Sequence, residues 1–182
     1  MKITGTTTLA EGKFIRLELQ SFQDDQGKNR KWEAAQRINA QAAVYIVARL
    51  RPSDKIVLVR QFRPPVNAFC IECPAGLVEP GESPAQTAIR ELIEETGFHG
   101  KLISITPPAA SSPGLTGELV SIAFLDIDET AEENQKPKQH LDANEAIQVF
   151  TIPRKELPDF LKQQHEKGDI IDSRLEILAA LS

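Results

Sequence analysis

Two stretches near the middle of the chain are apolar at almost every position. Residues 42–48 read AAVYIVA, and residues 56–62 read IVLVRQF. Runs rich in β-branched residues, without polar alternation, are typical of strands buried on both faces of a sheet. We therefore predict that these segments form the centre of one sheet. Further segments of strand-like composition are 70–74, 102–106, 118–128 and 146–152.

The first 40 residues follow a different pattern, in which apolar and polar residues alternate. Within 13–20 the aliphatic side chains fall on one face, and Phe14 falls on the other face with the charged residues. After a polar turn, 31–39 reads as a return strand that carries Trp32, the only tryptophan. Alternation interrupted by a turn predicts a β-hairpin ahead of the main sheet.

The stretch 76–98, GLVEPGESPAQTAIRELIEETGF, predicts a helix with well-defined ends. Ser83 can act as N-cap, Pro84 occupies the first helical position, and Gln86 completes a Ser-x-x-Gln capping box. Gly97 supplies a left-handed C-cap, so the helix should end there. Apolar residues recur at helical spacing and can form one stripe: Ala85, Ala88, Ile89, Leu92 and Ile93.

Glutamates gather beside that stripe. Glu91, Glu94 and Glu95 fall on the adjoining arc, and Glu82 stands just before the helix. Like charges at this spacing repel by about 0.2–0.5 kcal/mol per pair on an exposed helix. The cluster indicates either a solvated acidic face or a bound cation, for which hard oxygen ligands favour Mg²⁺ or Mn²⁺. The residues by themselves leave both interpretations open.

The segment after 128 contains a long polar connection. Residues 129–143 are charged and include a proline, which is typical either of a disordered surface loop or of an active-site lid. Beyond Pro153 we predict two short helices, the first over 156–164 and the second capped by Asp172.

The composition is that of an ordinary globular protein. With 182 residues, 41% hydrophobic and 26% charged, the chain suits a single domain over 1–182, with the hairpin in 1–40 and the main sheet in 41–182. The net charge of −5 argues against nucleic-acid binding through a basic face. No apolar run is long enough to span a membrane, and we expect a cytoplasmic protein. An anionic substrate would need metal ions and local arginines.

Cys70 and Cys73 form a C-x-x-C pair. The spacing lies in a strand-like run, so the two side chains should point to opposite faces. We therefore predict two free thiols and neither a zinc site nor a redox site.

The stretch 76–98 resembles the Nudix box, which runs Gly, five residues, Glu, seven residues, Arg-Glu, an aliphatic residue, any residue, Glu-Glu, any residue, Gly and a bulky apolar residue. Every defined position is filled: Gly76, Glu82, Arg90, Glu91, Leu92, Glu94, Glu95, Gly97 and Phe98. The resemblance implies the α+β Nudix fold, an α/β/α sandwich with a mixed central sheet and a catalytic loop-helix-loop. It also implies a hydrolase that uses a divalent metal ion to cleave a diphosphate linked to another moiety.

Two further segments resemble one subfamily in particular. Residues 61–65 (QFRPP) and 70–76 (CIECPAG) are similar to the ADP-ribose and nucleoside-diphosphate-sugar pyrophosphatases, and Pro113 stands 16 residues after Gly97, as in that subfamily. This implies Mg²⁺-dependent hydrolysis of ADP-ribose or a related nucleoside diphosphate sugar to a nucleoside monophosphate and a sugar phosphate. The alternatives are hydrolysis of nucleoside triphosphates or dinucleoside polyphosphates, and a nucleotide-binding module without activity.

The resemblance also implies roles for individual residues. The implied metal ligands are the Ala75 carbonyl oxygen, Glu82, Glu91 and Glu95. The implied catalytic residues are Arg90, Glu94 and Glu145, with Asp142 as the rival of Glu145 for activating water. The implied substrate-binding residues are Phe14, Trp32, Arg37, Arg63, Leu77, Pro113, Gly114 and Leu115.

Relatives in this subfamily stack adenine between two tryptophans. Trp32 matches one of them, whereas Phe14 fills the place of the other, which predicts looser base selectivity. Relatives also form homodimers in which the N-terminal segment of one subunit completes the substrate site of the other. The resemblance therefore implies a homodimer with shared sites, in which Trp32 and Arg37 act on the neighbour's substrate.

Overall fold

The computed structural model describes residues 1–39 and 42–181, and within them the chain forms twelve strands and four α-helices. The strands are β1 Lys2–Glu11, β2 Ile15–Gln23, β3 Asn29–Arg37, β4 Ala42–Arg51, β5 Lys55–Arg63, β6 Ala68–Glu72, β7 Ala75–Leu77, β8 Lys101–Ile105, β9 Ala109–Ala110, β10 Leu119–Asp128, β11 Gln148–Pro153 and β12 Ile170–Ile171. The helices are α1 Pro84–Thr96, α2 Glu132–Gln135, α3 Leu157–Glu166 and α4 Ser173–Ala180. No helix in the described ranges is long and apolar enough to cross a membrane.

Nine strands form a central sheet that is mixed, as predicted. Its strand order is β12-β6-β5-β4-β10-β8, and β11, β7 and β9 pair with β5, β4 and β10. β4 runs parallel to β10, and β6 runs parallel to β12. The remaining pairs are antiparallel. The strands predicted for this sheet all form, with their ends shifted by at most three residues.

Strand β4 is buried on both faces, which explains its continuous apolar run. Val44 and Ile46 belong to one core cluster together with Leu92 of α1. Tyr45 and Val47 belong to a second cluster, which is completed by residues of α3 and α4. Because successive side chains of a strand point to opposite faces, one strand supplies both cores. The result is a helix layer on each face of the sheet, the predicted α/β/α sandwich.

The central sheet splits between β4 and β5. Within the described residues, the register joins these strands only at Arg49 with Ile56 and Leu50 with Lys55. Further along, β4 pairs with β7, whereas β5 pairs with β6 and β11. The two central strands therefore diverge, and a cavity opens between them.

The N-terminal extension is a three-stranded antiparallel sheet, β1-β2-β3. The predicted hairpin is present as β2 and β3, and β1 is a strand that we did not predict. The Thr-rich sequence of β1 lacks an apolar face, and all of its residues are exposed, so periodicity gives no signal. The boundary predicted between 40 and 41 lies outside the described residues.

In the N-terminal sheet a charged side chain is buried while aliphatic side chains are exposed, the reverse of the usual pattern. On β2, Glu18 is 6% exposed, whereas Ile15 is 55% and Leu17 is 38% exposed. Glu18 lies opposite Ala34 in the register and accepts hydrogen bonds from Arg16 at 2.6 Å and from Gln20 at 3.3 Å. Within residues 1–39 and 42–181 the chain thus leaves Ile15 and Leu17, on the apolar face of this sheet, exposed.

The long connection over 129–143 packs against the core. The amide of Asn134, a residue of α2 that is only 6% exposed, donates to the carbonyls of His99 and Asp128 and accepts from the His99 backbone N–H. The backbone N–H of His140 donates to the Glu94 carbonyl at 2.8 Å. These bonds fix the connection to the C-terminal end of α1.

Cys70 and Cys73 are free and buried, as predicted. Cys73 lies in the second core cluster with Tyr45, and burial raises its pKa to about 12. A thiol in that state is protonated at neutral pH and is a poor nucleophile.

Candidate active site

Helix α1 begins and ends where the sequence predicts. The Ser83 side chain accepts from the Gln86 backbone N–H while the Gln86 side chain accepts from the Ser83 N–H, which completes the capping box. Gly97 has φ 77°, and a Cβ there would lie 2.2 Å from the Lys138 nitrogen, so only glycine fits. Ala88 and Leu92 are fully buried in the core. The fixed ends and the buried Ala88 and Leu92 hold the glutamate-bearing arc in one orientation, whereas Ile89 of the predicted stripe is exposed.

Two carboxylates of α1 line the cavity, those of Glu91 and Glu95. Glu95 is only 4% exposed and accepts a hydrogen bond from the Ala75 N–H at 3.1 Å. Burial raises the pKa of Glu95 to about 8, and burial also raises the pKa of Glu91. A Cβ at Gly76 would come within 2.0 Å of the Glu91 carboxyl group, which explains the glycine there.

The remaining glutamates of the motif are held by Arg90. Its guanidinium donates to Glu82 at 2.9 and 3.0 Å, and to Glu91 and Glu94 at 2.8 Å each. A fifth hydrogen bond runs to the Leu77 carbonyl at 3.3 Å. The ion pair with Arg90 lowers the pKa of Glu82 to about 2. Glu82, Arg90 and Glu94 are thus a single charged network at the edge of the cavity.

The carboxylates fit a hard divalent cation. The part of the chain that the structure describes holds no preassembled group of three metal-ligating side chains. Yet Glu95 is a buried carboxylate to which no cationic side chain of the described residues is bonded. Its oxygen donors, with those of Glu91, are the kind that Mg²⁺ and Mn²⁺ prefer. A cation bound there would offset the desolvation that raises both pKa values.

The cavity itself has a volume of about 640 Å³, a size typical of small-molecule sites. Six glutamates and three arginines line it. The glutamates are Glu72, Glu79, Glu91, Glu95, Glu118 and Glu145, and the arginines are Arg37, Arg63 and Arg174. With this excess of negative charge, an anionic ligand needs bound cations as well as the arginines.

The two arginines predicted to bind substrate each use only Nε in their ion pair, which leaves the other edge of the guanidinium unbonded in the part of the chain that the structure describes. Arg37 donates from Nε to Glu118, and Arg63 donates from Nε to Glu72 at 2.8 Å. No other protein contact in the described ranges uses their terminal nitrogens. Each guanidinium therefore presents its Nη1/Nη2 edge, which matches two oxygens of a phosphate.

Glu145 lines the cavity, whereas its rival Asp142 does not. The two residues form a turn in which the Glu145 carboxylate accepts from the Asp142 N–H at 3.1 Å. The Gln139 side chain donates to the Glu95 carbonyl at 2.6 Å and to the Ile147 carbonyl at 3.0 Å. It thereby ties the Glu145 segment to α1.

Five predicted substrate-binding residues lie outside the cavity. They are Phe14, Trp32, Pro113, Gly114 and Leu115. Trp32 donates from its indole nitrogen to the Gly114 carbonyl at 3.1 Å, and the Ala35 N–H donates to the Leu115 carbonyl at 2.8 Å. These bonds join the 111–117 loop to the edge of β3. Arg37, by contrast, lines the cavity of its own chain together with Leu77 and Ala75.

Sequence reasoning missed several residues that line this site, among them Glu118, Tyr45 and Arg174. Each of these three lies in a segment with an ordinary structural pattern, and none of them belongs to the Nudix motif. Glu118 precedes β10, Tyr45 stands in an apolar strand, and Arg174 follows the N-cap of α4. Their proximity depends on long-range packing, which leaves no local signal.

A family model described as "NUDIX domain" matches residues 39–172. The chain belongs to the NUDIX family. This Nudix chain is similar to the ADP-ribose pyrophosphatase of Saccharomyces cerevisiae. The two are 36% identical over an alignment that covers 92% of this chain and 76% of that protein. Identity to the ADP-sugar pyrophosphatase of Mus musculus is 32%, over 85% and 74% of the two chains.

A solved structure described as that of an ADP compounds hydrolase is similar in fold to this Nudix chain. The TM-score is 0.69 at 22% identity, and the match covers 88% of this chain and 82% of that chain. The likeness confirms the predicted α+β Nudix fold.

Proposed function

We propose that this Nudix protein hydrolyses the diphosphate bond of ADP-ribose and related nucleoside diphosphate sugars, with Mg²⁺ as cofactor. The products are a nucleoside monophosphate and a sugar phosphate. The observation that carries the proposal is the cavity, which is lined by the half-buried Glu91 and the buried Glu95 together with Arg37 and Arg63. Such a site matches a diphosphate with its metal ions. The names of the relatives from yeast and mouse support this substrate class.

The metal site would use oxygen atoms from two elements. Glu91 and Glu95 of α1 and the carbonyl oxygen of Ala75 would hold Mg²⁺, with Mn²⁺ as the alternative. When bound, the cation supplies charge neutralisation and activation of water. Glu82 and Glu94 support the site indirectly. Both bind Arg90 and orient its guanidinium, which in turn binds Glu91.

Glu145 is the candidate for orienting and deprotonating the attacking water. Its carboxylate faces the same cavity as Glu91 and Glu95, and its position is fixed by the turn with Asp142. Asp142 lies outside the cavity, which favours Glu145 over its rival. Arg37 and Arg63 would bind the phosphate oxygens, and Leu77 would contact the substrate from β7.

We infer further that the protein acts as a homodimer with shared base-binding sites. The register places Ile15 opposite Arg37 and Gln20 opposite Trp32. Phe14 and Trp32 of one chain are therefore separated by at least about 17 Å along the strands, at roughly 3.3 Å per residue. Two rings that sandwich a base lie about 7–8 Å apart, twice the usual contact distance. A sandwich of Phe14 and Trp32 thus requires two chains.

The uncovered apolar face of the N-terminal sheet supports the same inference. Ile15 and Leu17 are exposed in one chain, and a second copy can cover them. Phe14 and Trp32 would stack the base, and the 111–117 loop with Pro113, Gly114 and Leu115 would border it. Cytoplasmic localisation remains a prediction.

A product assay tests the activity. Purified protein is incubated in Mg²⁺ with ADP-ribose, ADP-, UDP- and GDP-sugars, nucleoside triphosphates and diadenosine polyphosphates, and the products are separated by ion-exchange chromatography. We expect AMP and ribose 5-phosphate from ADP-ribose. Release of pyrophosphate from triphosphates at a higher kcat/KM would replace the proposal with the triphosphate alternative. Binding without turnover of any substrate would indicate a module without activity.

A further inference from the structure

Arg174 lines the cavity although no sequence motif includes it. It lies in the first turn of α4, and its Nε and Nη2 donate to Asp172 at 3.0 and 2.7 Å. Its guanidinium carbon lies 4.4 Å from the centroid of the Tyr45 ring. Two hydrogen bonds and a stacking contact fix the plane of the guanidinium.

The remaining nitrogen of Arg174 is available to a ligand. Within residues 1–39 and 42–181 no protein acceptor is bonded to Nη1, and 38% of the side chain is exposed. A guanidinium that is already oriented loses little entropy when it binds an oxygen anion. Arg174 is thus a preorganised donor at the cavity wall.

The position of Arg174 is fixed relative to the carboxylates. Tyr45, on which it stacks, pairs in register with Ala75, the residue whose N–H binds Glu95. The backbone N–H of Asp172 donates to the Ile71 carbonyl at 3.0 Å, which fastens the start of α4 to β6. Arg174 therefore lies near the stretch of β4 and β7 that faces the diphosphate.

We propose that Arg174 is a third diphosphate-binding residue, whose Nη1 donates to a phosphate oxygen of the bound substrate. This inference rests on the proposed function for the nature of the substrate. The cavity carries six glutamates and only three arginines, so each guanidinium that faces the ligand offsets part of the repulsion. Arg37 and Arg63 bind the same group from the ends of β3 and β5.

The chain contains a matched control in Arg60. This arginine also donates from Nε and Nη2 to one aspartate, Asp169, at 2.7 and 2.8 Å. Its guanidinium carbon lies 3.9 Å from the centroid of the Phe69 ring. Arg60 thus repeats the ion pair and the stacking of Arg174, but it does not line the cavity. Loss of the structural contacts alone should affect both variants alike.

The test is binding of methylenediphosphonate, a diphosphate analogue that cannot be hydrolysed, in the presence of Mg²⁺. Isothermal titration calorimetry compares the wild type with Arg174→Ala, Arg174→Lys and Arg60→Ala, and thermal unfolding checks each fold. We expect Arg174→Ala to weaken binding about 10- to 100-fold, the effect of losing one hydrogen bond between charged groups. Arg60→Ala should stay within about threefold of the wild type.

Arg174→Lys tests the proposal even if Arg174→Ala does not fold. Lysine keeps the charge but not the planar fork, so we expect an intermediate loss of about 3- to 10-fold. The KM for ADP-ribose should rise in parallel with the dissociation constant. Equal binding by Arg174→Ala and Arg60→Ala, or no effect of Arg174→Lys, would overturn the proposal, as would a wild type that does not bind the analogue. Because no turnover is needed, failure to hydrolyse ADP-ribose would count against the proposed activity alone.

Discussion

The central sheet and the N-terminal sheet bury opposite kinds of residue. In β4, Val44 and Ile46 are fully buried, whereas in β2 Glu18 is buried and Leu17 is 38% exposed. The central sheet is covered on both faces by helices of its own chain. Within the described residues, Ile15 and Leu17 on the apolar face of the N-terminal sheet are exposed. We therefore expect the proposed metal site to be complete within one chain and the proposed base-binding site to need a second chain.

The largest effect is expected from the buried carboxylate of α1. Glu95→Gln keeps the shape of the side chain but removes a charge that should hold Mg²⁺, so kcat for ADP-ribose should fall by about 10⁴-fold. Steady-state kinetics measure the loss, and circular dichroism checks the fold. The exposed Glu166→Gln is the control and should retain full activity. Near-normal turnover by folded Glu95→Gln would refute the metal site.

The next largest effect concerns Glu145, the residue proposed to activate water. Glu145→Gln should lower kcat by roughly 10²–10⁴-fold with little change in KM, because the amide cannot accept a proton. Asp142→Asn is the matched control, since it lies in the same turn but outside the cavity. If Asp142→Asn shows the large loss and Glu145→Gln does not, the two roles have to be exchanged.

The same substitution in the core beside the central sheet and in the N-terminal sheet should have different effects on stability. Leu92→Ala removes a fully buried side chain and should lower the free energy of unfolding by about 2–5 kcal/mol. Leu17→Ala removes an exposed one and should change the stability of the isolated chain by less than about 0.5 kcal/mol. Urea denaturation measures both. Sedimentation should show weaker dimers for Leu17→Ala only; unchanged association would speak against β2 as the interface.

The smallest effect is a partial recovery of activity in mixed dimers. Trp32→Ala and Glu95→Gln subunits are mixed under conditions that allow exchange. If Trp32 serves the neighbour's site, half of the dimers regain one of their two sites, and activity should reach about a quarter of the wild type. Arg37→Ala is the contrast: because Arg37 lines its own chain's cavity, its mixture with Glu95→Gln should recover nothing. No recovery with Trp32→Ala despite proven exchange would exclude the shared site.

Local patterns predicted much of the fold. The capping box at Ser83 and the glycine at 97 set the ends of α1, because they satisfy backbone groups within a few residues of each other. The apolar run of β4 predicted burial on both faces, which the two core clusters confirm. β1 was missed, since a polar strand has no periodic signal.

The candidate site could be predicted only in part. Glu91 and Glu95 follow from the motif and line the cavity, and Arg37 and Arg63 join them. Phe14 and Trp32 were predicted to bind a base in a site shared between two subunits, and this stays a prediction. Within one chain the register of β2 and β3 keeps them apart. Arg174 and Glu118 were not predicted at all.

The sequence by itself determined the helix that carries the glutamates, the six longer strands of the central sheet and the family. These depend on spacing, capping and side-chain periodicity, which act over a few residues. Only the tertiary structure decided that Glu95 is buried. It also decided that Glu18, and not Leu17, is the buried side chain of β2, and that the Arg174 guanidinium stacks on Tyr45 at the cavity. The physical reason is that burial and charge pairing join segments far apart in the chain, and no local pattern records which segments will meet.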